Sequence, residues 1–295
     1  MIDEMKKIYC IMLVMILCNA KFAFSQIEKV IVEPYYISDS LDATDTIGGL
    51  LEIGSTTYRI YIDLAPGVKL RKIYGDQNHP IKFSSTERVF NNLADGLTFA
   101  KDFNRSRLGE NTVALDSWLT LGQTTRIGAK TYFGVLKNQD VSGSFIGGIN
   151  NDGGSAAIPS GLLTNNDPAA GIPLTVSDGM DTMNTIPSSW ADYGFINDTS
   201  GVDSTIFGSA KQGNEFVSYS AALMNSGVSG VNADSNIVLV AQITTKGQIS
   251  FDLNIEVEVP AFPNPVYVKY VSEFVNGETN SDTLKLSPFL SYPPS

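Results

Sequence analysis

From residue 57 to residue 64 the chain reads Thr-Tyr-Arg-Ile-Tyr-Ile-Asp-Leu, with Tyr58, Ile60, Ile62 and Leu64 on one side of an alternation and Arg59, Tyr61 and Asp63 on the other. A period of two sends successive side chains to opposite faces of an extended backbone, so this segment is predicted to be a half-buried strand. Pro66-Gly67 then supplies turn chemistry, and residues 68–74 resume an extended pattern in which Leu70 alternates with Arg71-Lys72. Together the two segments predict a hairpin. A polar corner follows at residues 75–80, then short strands are expected at 81–85 and at 113–121, the latter carrying Asp116-Ser117-Trp118. Trp118 is expected in the core.

The later part of the chain repeats the pattern more strongly. Residues 237–245 are almost continuously apolar, and residues 248–259 alternate Ile249, Phe251, Leu253, Ile255, Val257 and Val259 with polar partners. Lys246-Gly247 between them predicts a second hairpin. A further strand is expected at 266–274, a turn at Asn276-Gly277 and a Pro-rich end at 287–295.

Between about residues 138 and 213 this periodicity stops, interrupted by runs such as Gly147-Gly148-Ile149-Asn150-Asn151-Asp152-Gly153-Gly154 and Thr164-Asn165-Asn166-Asp167-Pro168. The region reads as long, turn-rich loops with a few short strands. Binding residues tend to sit on such loops, although an ordered insertion without activity has the same appearance.

The first 25 residues have a different character. Lys6 and Lys7 precede an apolar run over residues 8–18, and a small-residue exit follows around Ala23-Phe24-Ser25, which is the order of a secretory signal. Cleavage is expected before Gln26. Removing 25 of the 295 residues leaves 270, enough for a sizeable core. No later stretch approaches the roughly 20 apolar residues of a membrane helix, so no membrane insertion is expected after cleavage. Cys18 follows Met15-Ile16-Leu17 rather than a small residue, which argues against a lipid anchor. Both cysteines, Cys10 and Cys18, lie in the removed segment, so the mature chain has neither a disulfide nor a cysteine nucleophile.

Composition agrees with the strand pattern. With 26 Gly, 13 Pro and only 17% charged residues, the chain favours short strands joined by turns over helices. Its formal charge of -11 becomes -12 when the signal segment, with three lysines against Asp3 and Glu4, is removed. Nucleic acid is therefore not an expected partner, because phosphate backbones are held by clustered Lys and Arg.

Candidate chemistry is sparse. His79, the only histidine, sits in an Asn-His-Pro corner with no Gly-x-Ser-x-Gly elbow elsewhere, so it reads as a turn residue rather than a general base. One histidine and no mature cysteine leave too few ligands for zinc. Calcium prefers oxygen-rich loops, and Asp39, Asp42 and Asp45 recur at every third residue in such a segment. These three are the candidate calcium ligands, set against an Asx-turn loop whose carboxylates bond backbone amides. Asn150, Asn151 and Asp152 form a second polar cluster. Glycoside hydrolysis needs only two carboxylates, and with 31 acidic residues no pair stands out. Sugar rings are often held by exposed aromatics, for which Trp190 and Tyr193 in the loop-rich region are the first candidates and Tyr35 and Tyr36 the next.

Several stretches taken together resemble a known module. Val32-Glu33-Pro34-Tyr35-Tyr36-Ile37-Ser38-Asp39 leading into Asp42-Ala43-Thr44-Asp45-Thr46, then Ile73-Tyr74-Gly75, Leu115-Asp116-Ser117-Trp118-Leu119-Thr120 and Val240-Ala241-Gln242-Ile243-Thr244-Thr245, are similar to a recurrent β module of exported Bacteroidetes proteins, especially those of marine flavobacteria. The resemblance runs from about residue 32 to about residue 259. It implies a component of exported proteins, often associated with type IX secretion, and it brings no activity with it. The C-terminal residues 287–295 do not look like the sorting domain that often ends such proteins. Short triplets such as Asp39-Ser40-Leu41, Asp45-Thr46-Ile47, Asp181-Thr182-Met183 and Asp282-Thr283-Leu284 resemble the O-glycosylation acceptor of the same host group.

The expectation is thus an all-β protein, an antiparallel, jelly-roll-like β-sandwich over residues 26–295 with a loop-rich insertion at about 138–213. Two lobes divided near Gly143 are the other arrangement. The expected role is an extracellular or cell-surface binding or structural module that contacts glycans, surface proteins or matrix. A secreted hydrolase acting through carboxylates is the alternative.

Overall fold

The structure is a computed structural model and describes residues 25–40, 42–44, 46–104, 107, 112–127, 130–134, 180–183, 206–230, 234–275 and 277–294. Residues 1–24 of the proposed signal segment (1–25) and most of the 138–213 region therefore lie outside the described residues. The fold is all-β, and its sheets are antiparallel apart from one pair of strands.

The first layer contains β1 (Ile27–Ile37), β2 (Thr56–Leu64), β11 (Ile237–Thr245) and β5 (Trp118–Leu119), in the lateral order β1-β2-β11-β5. The second layer is built from two sheets. One has the order β10-β3-β13-β14-β15, formed by β10 (Ala222–Val228), β3 (Lys69–Tyr74), β13 (Ile255–Val259), β14 (Val266–Val271) and β15 (Leu284–Leu286). The other has the order β16-β12-β4-β9, formed by β16 (Ser291–Tyr292), β12 (Ile249–Asp252), β4 (Ile81–Ser85) and β9 (Glu215–Ser218). A separate sheet joins β6 (Gln123–Ile127), β7 (Lys130–Gly134) and β8 (Met180–Met183). Strands from before residue 134 pair with strands from after residue 215 in both layers.

The two sheets of the second layer are one layer with a bend. The chain runs from β3 into β4, from β12 into β13 and from β9 into β10, and each passage is interrupted at the same level. Backbone bonds from Tyr74 N–H to the Asn254 carbonyl (2.9 Å) and from Gly75 N–H to the Ala221 carbonyl (2.8 Å) cross the bend. The Asn254 side-chain amide donates to the carbonyls of His79 at 2.9 Å and Pro80 at 3.1 Å, replacing ladder bonds that the bend removes. Gly75 is required here for space, because a Cβ would fall 2.1 Å from the Ser218 carbonyl oxygen.

One apolar core lies between the layers. Ile60, Ile62, Leu64, Val238, Val240 and Ile243 contribute from the first layer and Leu70, Ile73, Phe83, Phe251, Val257 and Val268 from the second. Phe83 meets Phe207 edge-on at 5.6 Å between centroids, a favoured aromatic geometry.

Both hairpins expected from the sequence are corrected by this topology. Pro66-Gly67 carries the chain from the first layer to the second, so β2 and β3 do not pair with each other; Lys246-Gly247 does the same between β11 and β12. The turn chemistry is real, but alternation records only which face a strand buries. Two strands facing one core from opposite layers alternate in the same way as two neighbours in one sheet. At the second turn a Cβ on Gly247 would approach Glu87 N to 2.4 Å, which fixes glycine there. The alternation over residues 248–259 also divides into β12 and β13 at the bend.

Three smaller differences follow, the first two from the capture of backbone by side chains. The segment 113–121 forms a 3-10 turn at Val113–Leu115 and only the two-residue β5, because Asp116 and Ser117 bond backbone elsewhere. The strand expected at 266–274 stops at Val271. Finally β2, expected to be half-buried, is buried on both faces, including Arg59 at 2% exposure. Trp118 is buried, at 5% exposure.

Candidate functional site

The segment carrying Asp39 and Asp42 follows β1. Asp42 opens a 3-10 turn, Asp42–Thr44, and is completely buried. Its Oδ2 accepts the Asp39 backbone N–H at 2.8 Å and the Tyr36 hydroxyl at 3.1 Å, and its own N–H points to Asp39 Oδ1 at 3.4 Å. These are the contacts of an Asx-type turn. Asp45 lies outside the described residues. Among the described residues no group of three or more His, Cys, Asp or Glu is placed to hold a metal ion.

The aromatic candidates divide in two. Trp190 and Tyr193 lie outside the described residues. Tyr35 and Tyr36 are both at 0% exposure, so the exposed sugar-stacking role expected for them is corrected: neither ring offers a face to an external ligand. A register shift between Pro34 and Tyr36 in the β1–β2 ladder accompanies this placement. The Tyr35 ring is covered by the Arg59 guanidinium, 3.7 Å from its centroid. Burial, followed by the nearby Asp42 and Asp39 charges, pushes the Tyr36 phenol far above its ordinary range.

His79 sits at the bend of the second layer with 7% exposure. Its Nδ1 lies 3.2 Å from Asp76 Oδ1 and its Nε2 2.8 Å from Glu278 Oε2, while Glu278 Oε2 also accepts the Val275 N–H at 3.1 Å. Both ring nitrogens are thus taken by carboxylates. The arrangement ties the bend to the 275–278 segment beside a cleft of about 350 Å³ lined in part by Asn78, Asp252 and Glu273. It is a clamp in which the imidazole has no nitrogen left over for a nucleophile.

A second buried constellation covers the outer side of the first layer. Arg59 Nε donates to Gln242 Oε1 at 3.2 Å, and Gln242 Nε2 donates to the carbonyls of Ala114 and Asp116 at 3.0 and 2.8 Å. Asp116, at 0% exposure, accepts the Asn92 N–H at 2.7 Å and the Leu97 N–H at 3.0 Å. Burial pushes its carboxyl up to about 8 against the lowering effect of backbone N–H bonds from Leu97, Asn92 and Ser117. The hydroxyls of Thr57 and Thr244 meet at 2.7 Å, and Ser117 Oγ both accepts from Thr244 N–H and donates to the Phe90 carbonyl. These bonds fasten the 86–121 segment onto the sheet.

Among the described residues, a cluster of exposed aromatic and charged groups lies on the outer face of the second layer. Along β13 and β14, Val257 and Val268 point into the core, whereas Glu256, Glu258, Tyr267 and Lys269 point away from it. The register places Lys69, Glu258 and Tyr267 in one row across three strands, and Lys72, Glu256 and Lys269 in the next. Arg71 occupies the register shift between these rows and stacks on the Tyr267 ring at 4.8 Å, while donating to Glu258 at 3.4 Å. Lys69 pairs with Glu258 at 3.1 Å and Lys72 with Glu256 at 3.6 Å. Tyr267 keeps 45% exposure. The hairpin tip between these strands presents Phe262 at 99% exposure among Pro260, Pro263 and Pro265. Sequence reasoning noticed Arg71-Lys72 but passed over Tyr267 and Phe262. The available signal was Tyr267 and Lys269 alternating with the apolar Val268 and Tyr270.

Within these rows four cations, Lys69, Arg71, Lys72 and Lys269, stand against two carboxylates, Glu256 and Glu258, so the rows are locally positive on a chain of formal charge -11, with Asp76 and Glu278 beyond them near Tyr74. An aromatic ring held rigid by a guanidinium, with amines and carboxylates beside it, can stack on a flat apolar surface and bond polar substituents around it. These features define a class: an all-β sandwich with an aromatic, cationic sheet face. Comparison with known proteins gave no match, whether to a family model, a curated protein or a solved structure.

Proposed function

We propose that this protein is an exported binding module that holds an acidic glycan on the outer face of its second layer. The observation that carries the reading is Tyr267, half-exposed and braced by Arg71, within a patch of surplus positive charge. Sugar rings present apolar faces that suit such a platform, and carboxylate or sulfate substituents suit the surrounding amines. Export rests on the N-terminal Lys6-Lys7, the apolar run and the small-residue exit, and agrees with the resemblance to secreted Bacteroidetes modules. Adhesion to other cells or to matrix would follow if the glycan belongs to a surface.

The test is affinity electrophoresis in gels containing a polyuronate, a sulfated galactan or a neutral glucan. Retardation is expected in the acidic gels and is expected to fall at least about tenfold in Kd terms for Tyr267→Ala, the loss of one stacking platform. Arg71→Ala should weaken binding less and reduce its salt dependence. Equal mobility in all three gels would overturn the reading. Breakdown of a retained polysaccharide would instead favour the carboxylate hydrolase.

A further inference from the structure

Cleavage before Gln26 makes a glutamine the first residue of the mature chain, and the structure holds that glutamine by its side-chain oxygen. Gln26 directly precedes β1 and is half-buried. Its backbone carbonyl accepts the Ala65 N–H at 3.1 Å, which fixes the residue against the end of β2. Its side-chain Oε1 accepts from two groups of the second layer, the Tyr270 hydroxyl on β14 and Lys285 Nζ on β15, the latter at 3.2 Å. An ammonium can only donate, so Lys285 settles which end of the amide is the oxygen. Tyr270 is 3% exposed and Lys285 Nζ lies 6.0 Å from the centroid of its ring, so the two donors form one packed unit. Every hydrogen bond that the described residues make to this side chain goes to the oxygen.

We propose that Gln26 is a modification site: once cleavage frees its amine, the residue closes on itself to pyroglutamate while Tyr270 and Lys285 hold the carbonyl. The inference rests on the export part of the proposed function, which supplies the free amine. The lone pair of the Gln26 α-nitrogen attacks the residue's own Cδ and an N–Cδ bond forms. The Cδ–Nε2 bond breaks, and Nε2 leaves as ammonia, carrying one proton from the α-amine. No oxidant, reductant or co-reactant is consumed. In the tetrahedral intermediate negative charge collects on Oε1, where a phenol and an ammonium already donate, and donors placed in advance at such an oxygen lower the barrier. The product keeps this oxygen and with it both bonds. It also replaces an α-ammonium by a neutral lactam at a half-buried position, which removes the need to hydrate a charge there. A chain closed in this way offers no amine to an aminopeptidase.

The first measurement is the intact mass of the protein purified after export from a bacterial host and kept at neutral pH until the mass is constant. A chain that starts at Gln26 and is lighter by one ammonia is expected. A chain that starts at Gln26 with its full mass would overturn the modification and leave export standing, whereas a chain that starts elsewhere would remove both. A second measurement isolates the donors, because terminal glutamines can also close without help. A fusion partner ahead of Gln26, removed by a protease that leaves Gln26 first, starts the reaction at a known time, and mass spectrometry follows the loss of ammonia. Tyr270→Phe combined with Lys285→Met keeps the apolar bulk at both positions and should slow the reaction at least about tenfold. Unfolding the parent in urea should slow it in the same way. Equal rates for the folded parent and the folded double variant would overturn the proposal, as would a parent that reacts faster unfolded than folded.

Discussion

The two faces of β2 and β11 are built from the same strands by different physics. Toward the second layer Ile60, Ile62, Leu64, Val238 and Val240 pack into an apolar core, where burial is non-directional and any side chain of suitable volume contributes. On the opposite side Thr57, Arg59, Gln242 and Thr244 are equally hidden, but each is held by a specific hydrogen bond. A small apolar cluster of Tyr61, Phe103, Val113, Trp118 and Leu239 completes that side. A register shift between Leu239 and Ala241 lets β11 serve both faces, since it puts Val240 and Ala241 consecutively into the main core and returns Gln242 and Thr244 to the polar side. Stability on one side therefore scales with volume and on the other with satisfied partners.

Truncation on the apolar side is expected to have the largest effect. Ile62→Ala removes buried methyl groups from the centre of the sandwich and should cost about 3–4 kcal/mol in denaturant-melting experiments. A cost below about 1 kcal/mol would mean that the two layers do not share one rigid core.

Asp116→Ala probes the polar side and should cost about 2–3 kcal/mol, because the N–H groups of Asn92 and Leu97 lose their acceptor while remaining buried. Its pH dependence separates the two faces more sharply than its size. The Asp116 pKa is raised on folding to about 8, so above the ordinary carboxylate range the folded protein keeps a proton that the unfolded chain releases. The contribution to stability is fully present below the unfolded carboxylate value, is lost progressively as pH rises toward about 8, and stays level beyond that. The stability difference between the parent and Asp116→Ala should therefore shrink from pH 4 to pH 8, as read from Tm at each pH, whereas the difference for Ile62→Ala should stay constant. A constant difference for both would show that Asp116 does not titrate in that interval.

The same contrast explains which parts of the fold were legible in the sequence. Ile60, Ile62 and Leu64 announce their face by alternation, and the near-continuous apolar run in β11 announced a strand with little exposure to water. Arg59 read as solvent-facing because charge usually marks the outside; the Tyr35 ring against its guanidinium and the Gln242 network, which ties the residues around Asp116 to the sheet, help make that side interior. Lateral neighbours were less legible. Pro66-Gly67 and Lys246-Gly247 have turn chemistry that is the same whether the chain returns beside itself or crosses to the other layer. At the candidate site the difficulty was similar, since Tyr267 acquires its meaning from Arg71 and Glu258, which are far from it in sequence or on another strand. Tyr35 and Tyr36 looked like ligand-facing aromatics, but a single register shift in β1 is enough to bring adjacent rings inside.

The smallest effect is also the most selective test of how the polar face works. Thr57 and Thr244 are each completely buried, and their hydroxyls are 2.7 Å apart across the β2–β11 ladder. Thr57→Val or Thr244→Val alone preserves shape but leaves one buried hydroxyl without that partner, which should cost about 1 kcal/mol. The double Val variant removes both hydroxyls; it leaves the Ser117 Oγ bond to Thr244 N–H in place, since that bond uses backbone. Its cost should be smaller than the sum of the two single costs, with a coupling of about 1 kcal/mol in a double-mutant cycle. If the costs add, the pair contributes through separate contacts with its surroundings. If the double variant matches the parent, apolar packing of the same shape can replace hydrogen bonding at this point, and the polar face differs from the apolar one in the partner it selects rather than in the stability it provides.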